Sequence, residues 1–329
     1  MVLVSLGDPQ GIGYQALLNF SQLFSTLEKK QLNDLVVVGD LFLPNIDEIQ
    51  SNFLIIENPK DIPNKRNKPV FLVLEKNKSN INQLSDAECG YRSYKYFEYC
   101  LNYIKESSQI NNISLVTLPV SKKNIIDAGI NFAGHTEVLG EFFKRHVYMC
   151  MYHPKLKVIP LTHHIPLIDV AKQIKKINFE QLAIVTQKFK ISMNDERPAV
   201  VAGVNPHAGE GGRIGHEDTF ITNELAKVNQ KYSAEILQGP IAADSIFSPR
   251  LINNYSLIFT CYHDQGLIPF KMLYSNTGLN ITLNLPILRV SPDHGPAFEA
   301  VASNTADYQN IETAILFALE KGHENWVNL

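Results

Sequence analysis

Cysteine is scarce and scattered. The 329 residues include four, Cys89, Cys100, Cys150 and Cys261, with no CxxC pair among them. That excludes a disulfide framework and a zinc ribbon. Excess positive charge is also missing: 30 Lys+Arg against 33 Asp+Glu leave a net charge of −3 with histidines neutral, so no global basic field points to nucleic acid. No apolar run reaches the ~18 residues of a membrane helix. The opening "MVLVSLGDPQGIG" has no basic n-region and no long apolar core, so no signal peptide is expected there. Neither standard nucleotide fingerprint, GxGxxG or GxxxxGK followed by Ser or Thr, occurs. Internal repeats and low-complexity stretches are lacking too. With 45% hydrophobic and 19% charged residues, the chain reads as a globular protein of one large or two ordinary domains in a reducing cytoplasm.

What is present is a series of short apolar runs. "VLVSL" (2–6), "LVVVGD" (35–40), "VFLVLE" (70–75), "SLVTLP" (114–119), "KVIPL" (157–161), "LAIVT" (182–186), "AVVAGV" (199–204) and "SLIFTCY" (256–262) are apolar at nearly every position. Such runs suit strands buried on both faces of a parallel sheet. Helix-like stretches between them ("YQALLNFSQLF", "IPLIDVAKQIKKI", "FITNELAKV") predict βαβ units and a doubly wound α/β architecture. In the last of these, Phe220, Ile221, Leu225 and Val228 share one helical face. The Asn/Lys-rich zone 58–82 reads as solvated loops around one strand.

Ligands of doubly wound proteins bind beyond the carboxyl ends of the strands, and histidines recur there. His163 and His164 follow "KVIPLT", His207 follows "AVVAGVNP", and His263 follows "SLIFTCY". A lone histidine at a strand end is more often a hydrogen-bonded loop residue than a ligand. Three at equivalent ends favour a site assembled by the fold, since three protein ligands with open positions mark catalytic metal centres. Separations of 43 residues (164 to 207) and 56 residues (207 to 263) exclude a zinc finger but not such a site. Cys261 and His263 could instead be nucleophile and base, although the preceding "LIFT" favours a buried thiol. "NPHAGEGGRIGHE" carries four glycines in seven residues, suiting close backbone approach to a ligand. "GDPQGIG" lies between a strand and a helix, the context of a phosphate loop. In "AGHTE", His135 and Thr136 stand ahead of a helix that Thr136 could cap. "NITLNLPILRVSPDHG" offers Asn280, Arg289, Asp293 and His294 around a short strand, the arginine suited to phosphate or carboxylate.

Taken in order, "GDPQGIG", "AGHTE", "THHIPL", "NPHAGEGG", "GPIAADSIF", "YHDQGLIPFK" and "LNITLNLPILRVSPDHG" resemble the motifs of the 4-hydroxythreonine-4-phosphate dehydrogenases of vitamin B6 biosynthesis, from residue 7 to residue 295. The resemblance implies two α/β/α domains with a central cleft, like the isocitrate and isopropylmalate dehydrogenases. The first would span 1–128 plus 278–329 on the nucleotide side; the second, 129–277, would bind metal and dimerise. It implies a divalent ion (Zn, Mg or Co) held by His164, His207 and His263, drawn from both subunits of a homodimer. His164 is preferred to His163 because it directly precedes "IPL". His135, Thr136, Lys271, Asn280 and Arg289 would bind a small phosphorylated substrate. Asp293, His294 and Gly295 would contact NAD or NADP without a Rossmann fingerprint.

The implied reaction is oxidation of 4-phosphooxy-L-threonine at C3, then decarboxylation to 3-amino-2-oxopropyl phosphate. Lys271 is the first candidate for proton transfer, with Asp244 and Asp264 as alternatives or as supports of the histidines. A relative acting on threonate or erythronate 4-phosphate would carry nearly the same motifs, and a non-enzymatic metal or phosphosugar binder is the reading of a different class. Departures from the family pattern are Tyr14 and Gln15, where "GIGPE" is usual, the divergent segment 144–158, and the weakly matching region 41–112.

Overall fold

The computed structural model describes residues 1–19 and 27–322. Part of "YQALLNFSQLF" therefore lies outside the described residues; its start forms the helix Ile12–Leu18. The strands are β1 (Val2–Ser5), β2 (Leu35–Phe42), β3 (Leu54–Ile56), β4 (Val70–Asn77), β5 (Ser114–Thr117), β6 (Tyr148–His153), β7 (Leu156–Pro160), β8 (Ala199–Ala202), β9 (Leu237–Ile241), β10 (Leu257–Thr260), β11 (Leu279–Leu283) and β12 (Leu288–Pro292). Two compact units divide at Arg145/His146 and at Asn284/Leu285.

The first unit has the sheet order β3-β4-β2-β1-β5-β12, parallel throughout. Every residue of β1, β2 and β5 is buried, as continuous apolar runs between two helical layers require. The helix Asp86–Glu106 buries Cys89, Ser93, Tyr96, Phe97, Cys100, Leu101 and Ile104, a stripe at helical spacing. Its start is fixed by a reciprocal pair: Ser85 Oγ accepts from Glu88 N at 3.3 Å, and the Glu88 carboxylate accepts from Ser85 N at 2.8 Å.

The second unit has the order β11-β6-β7-β10-β8-β9. Here the parallel βαβ pattern is corrected only at one edge of the sheet. The divergent segment 144–158 folds as the hairpin β6–β7, and β6 is antiparallel to both β7 and β11. A second correction concerns "LAIVT", which is not a strand but the middle of the helix Phe179–Met193. A five-residue apolar run does not reveal its period; the buried face Phe179, Leu182, Ala183, Thr186 and Phe189 does, and Asn178 caps it by accepting from Gln181 N. Met151, Leu156, Val158, Val200, Ile258, Leu267 and Phe270 fill the core of this unit.

Candidate functional site

Strands β7, β10 and β8 lie side by side and parallel. Ile258 pairs with both Val158 and Val200, and Phe259 with both Ile159 and Val201. Their carboxyl ends are therefore neighbours, and these are the three ends that deliver His163/His164, His263 and His207.

His164 and His263 meet: their ring centroids are 5.8 Å apart with planes tilted by 44°. Two imidazoles that each place a nitrogen ~2.0–2.1 Å from a shared zinc ion have centroids roughly 5–6 Å apart, so this pair fits two positions on one ion. His263 Nδ1 lies 2.6 Å from Asp264 Oδ1, which leaves Nε2 as its outward donor atom, a common arrangement for metal-binding histidines. His207 is not joined to them: among the described residues no group of three His, Cys, Asp or Glu side chains is close enough to hold an ion.

His207 occupies an unusual backbone. Residues 207–212 all have positive φ, including the non-glycines His207 (53°), Ala208 (49°) and Glu210 (44°). Left-handed conformation costs a non-glycine residue about 1 kcal/mol or more and persists only where surrounding contacts impose it. Beside the run lies Asp218, a carboxylate only 2% exposed at the start of the helix Glu217–Tyr232. It accepts from Val204 N (2.8 Å), Asn205 N (3.1 Å) and Asn205 Nδ2 (2.9 Å). A Cβ on Gly203 would lie 2.9 Å from Asp218 Oδ1, so the glycine admits the carboxylate. The sequence reading missed Asp218; the glycine cluster beside it was the only signal.

The Cys261–His263 nucleophile is excluded. Cys261 is fully buried, its Sγ lies 3.2 Å from the Ala202 carbonyl oxygen, and burial pushes its thiol pKa far up. The "HDQG" stretch opens the helix His263–Tyr274 rather than forming a loop. Lys271 lies two turns on, ~12 Å along that axis and ~80° around it from His263. Asp244 and Asp264 are exposed, Asp244 sitting in a short helix after β9. Asn280, on β11, has its Oδ1 buried without a hydrogen-bond partner among the described residues. An orphaned acceptor of this kind fits a donor brought by a ligand.

The remaining predicted residues belong to the first unit. Thr136 does not cap its helix: the helix His135–Phe143 is capped at Gly134, and Thr136 stands in the first turn. His135 packs edge-on against Phe97 (4.6 Å) and Phe132 (5.4 Å). Burial, with the Arg289 charge nearby, holds its pKa well below the ordinary imidazole range, so it is neutral at pH 7. Arg289 is 2% exposed and donates to Thr117 Oγ1 at 2.6 Å. Burial lowers its pKa to about 10, with Glu137 opposing, and the guanidinium stays charged. His294 Nδ1 is held at 2.9 Å by Gly295 O, while Nε2 is buried without a partner among the described residues. Nearby, the "GDPQGIG" loop is clasped by its neighbours: Asp8 N donates to Pro119 O (3.0 Å) and Ile12 N to Pro296 O (2.8 Å).

A doubly wound α/β protein with histidines on three adjacent strand ends and a buried arginine on another strand has the make-up of an enzyme, with side chains suited to a divalent ion and to an anion. Comparison with known proteins is more specific. Residues 30–318 match the family model "Pyridoxal phosphate biosynthetic protein PdxA". A 4-hydroxythreonine-4-phosphate dehydrogenase of a Sulfurihydrogenibium species is 31% identical over 325 residues, 96% of each protein. That of Sulfurimonas denitrificans is 36% identical over 237 residues, covering 72% of this chain and 75% of its own. The crystal structure of the Klebsiella pneumoniae 4-hydroxythreonine-4-phosphate dehydrogenase superposes with a TM-score of 0.77 at 29% identity, covering 98% of both chains. The chain belongs to the PdxA family.

Proposed function

We propose that this chain is a nicotinamide-dependent 4-hydroxythreonine-4-phosphate dehydrogenase of vitamin B6 biosynthesis. It would oxidise the C3 hydroxyl of 4-phosphooxy-L-threonine and release CO₂ to give 3-amino-2-oxopropyl phosphate. The similarity to enzymes of that name over 96% of the chain carries the reading, and the His164–His263 pair supports it independently.

The roles follow from residue chemistry. His164, His207 and His263 would hold a divalent ion, which when bound supplies Lewis acidity toward the substrate oxygens. Arg289, charged and oriented by Thr117, pairs with the phosphate or carboxylate. His135, kept neutral, offers one donor and one acceptor rather than a second cation. Asn280 presents its buried oxygen to a substrate donor. Lys271, or failing that Asp244 or Asp264, takes the hydroxyl proton. Asp293, His294 and Gly295 would hold NAD or NADP, which when bound would accept the C3 hydrogen and two electrons as hydride. The resulting β-keto acid then breaks its bond to the carboxylate, and the carbon left behind takes up a proton.

A homodimer belongs to the same reading. Leu167 (68% exposed) and Ile168 (89%) follow His164 in sequence, while Ile268 and Met272 (81%) are exposed on the helix that His263 begins. Apolar surface on these segments suits burial by a second copy, which would supply the histidine missing from the single-chain pair. The described residues contain no helix long and apolar enough to cross a membrane, which is compatible with the proposed cytoplasmic setting.

The test is absorbance at 340 nm with 4-phosphooxy-L-threonine, NAD or NADP, and Zn, Mg or Co in turn, alongside threonate and erythronate 4-phosphates. Metal-dependent reduction with the first substrate is expected, and His207→Ala should abolish it without unfolding the protein. Near-normal turnover by His207→Ala would refute the three-histidine assignment. Preference for a sugar-acid phosphate would refute the substrate.

A further inference from the structure

The three histidine-bearing strand ends are linked by hydrogen bonds that do not involve the histidines. From β7, Thr162 Oγ1 donates to the Cys261 carbonyl at 2.7 Å, and Leu161 N donates to Thr260 O at 2.7 Å. From the end of β10, Cys261 N donates to Gln265 Oε1 at 2.7 Å. The other end of that amide, Gln265 Nε2, donates to Gly203 O at 2.8 Å, just beyond β8. Gly203 adjoins Val204 and Asn205, whose N–H groups are held by the buried Asp218. Thr162 and Asp218 are 6% and 2% exposed, so most of the chain is shielded from competing water.

Each bond has a geometric consequence. A primary amide can accept from a backbone N–H through its oxygen and donate to a carbonyl through its nitrogen at once. Gln265 uses both ends, tying the start of the His263 helix to the strand exit before the His207 loop, so that each histidine is held for the centre it serves, whether the chain's own or the partner's. Asp218 collects three donors and so holds the strand exit that leads into the left-handed run 207–212. Ala208 N, which donates to Asn205 O at 3.1 Å, carries that hold into the run.

We propose that Gln265 and Asp218 are positioning residues: they touch neither ion nor substrate, and they set the register in which His263 and His207 are presented. The inference rests on the three-histidine reading above and extends it to the groups that orient the ligands. Loss of such orienting groups typically lowers metal affinity about 10–100-fold.

Cobalt(II) is the probe, titrated into the full-length protein and followed by its visible d–d absorption, with thermal melting as the check on folding. Gln265→Leu removes both amide bonds. Gln265→Glu keeps the acceptor for Cys261 N but cannot donate to Gly203 O. Asp218→Asn replaces one acceptor oxygen by a donor facing Asn205 N. Each is expected to weaken cobalt binding about 10–100-fold and to alter the d–d band, with Gln265→Glu milder than Gln265→Leu. If Gln265→Leu does not fold, Gln265→Glu and Asp218→Asn decide the matter. Folded variants that bind cobalt with wild-type affinity and spectrum would overturn the inference. His207→Ala separates the two levels: if it binds cobalt as wild type does, the histidine assignment itself fails. If it loses binding while the Gln265 and Asp218 variants do not, only the positioning roles fail.

Discussion

Asp8, in "GDPQGIG", lends itself to a quantitative test of burial. Its side chain is fully buried and receives two neutral donors, Gln10 N at 3.1 Å and Asn124 Nδ2 at 3.3 Å. Desolvation outweighs these bonds and raises its pKa from 3.8 to about 6. The folded protein therefore binds this proton more tightly than the unfolded chain does. Its stabilising effect is full below pH 3.8 and is lost as pH rises through about 6. At 1.36 kcal/mol per pH unit, that gap amounts to about 3 kcal/mol as an upper figure. Asp8→Asn removes the ionisation while keeping an acceptor for Gln10 N, and the Asn124 amide can turn to accept from the new one. The stability of the variant relative to wild type should thus improve between pH 4 and pH 7.5 by about 2–3 kcal/mol. Urea unfolding followed by circular dichroism at pH 4, 5, 6 and 7.5 measures this. A difference between the two proteins that stays constant across the series would show that Asp8 does not titrate as its burial demands.

Two further outcomes follow from the first unit. Gly90→Ala should lower the melting temperature by several degrees, because its Cβ would lie 2.0 Å from Asn124 O and 2.5 Å from Ile125 N, where two helices cross backbone to backbone. Overpacking of this kind costs about 1–3 kcal/mol or more, and an unchanged melting curve would show that the crossing can open. The His135 imidazole should show no titration between pH 8 and pH 6 in histidine-selective NMR, since burial and Arg289 hold it neutral; a midpoint near 6.5 would contradict that packing.

Much of the architecture was legible because buried parallel strands declare themselves as continuous apolar runs. "LVVVGD" and "SLIFTCY" needed no tertiary information, and β2 and β10 lie within or across them. Where the fold departs from βαβ repetition, the sequence carried less. "YMCMYH" mixes aromatic, sulfur and polar residues, and its place as an antiparallel strand depends on β11, more than 120 residues further along the chain, as well as on its hairpin partner β7. The site divided along similar lines. Histidines at strand ends are visible as residue types at positions. The buried carboxylate that fastens the strand exit ahead of His207 is not, because Asp218 lies eleven residues away and looks like any acidic residue in a first helical turn.

The segment "CYHDQGLIPFK" shows how one stretch can serve two purposes. Once the helix begins at His263, successive residues rotate by about 100°, so Gln265 points roughly opposite to His263 and cannot share its ligand. It turns back to the strand ends, whereas Lys271 returns to within ~80° of the His263 direction. Cys261, chemically the most reactive residue by type, is buried with its thiol held un-ionised. Its backbone N–H and carbonyl form the junction between β7, β10 and β8. On the proposed roles, the spacing from His263 to Lys271 serves the chemistry, and the spacing from Cys261 to Gln265 serves the scaffold. Both are written into the same eleven residues because a helix start offers opposite faces to the site and to the sheet.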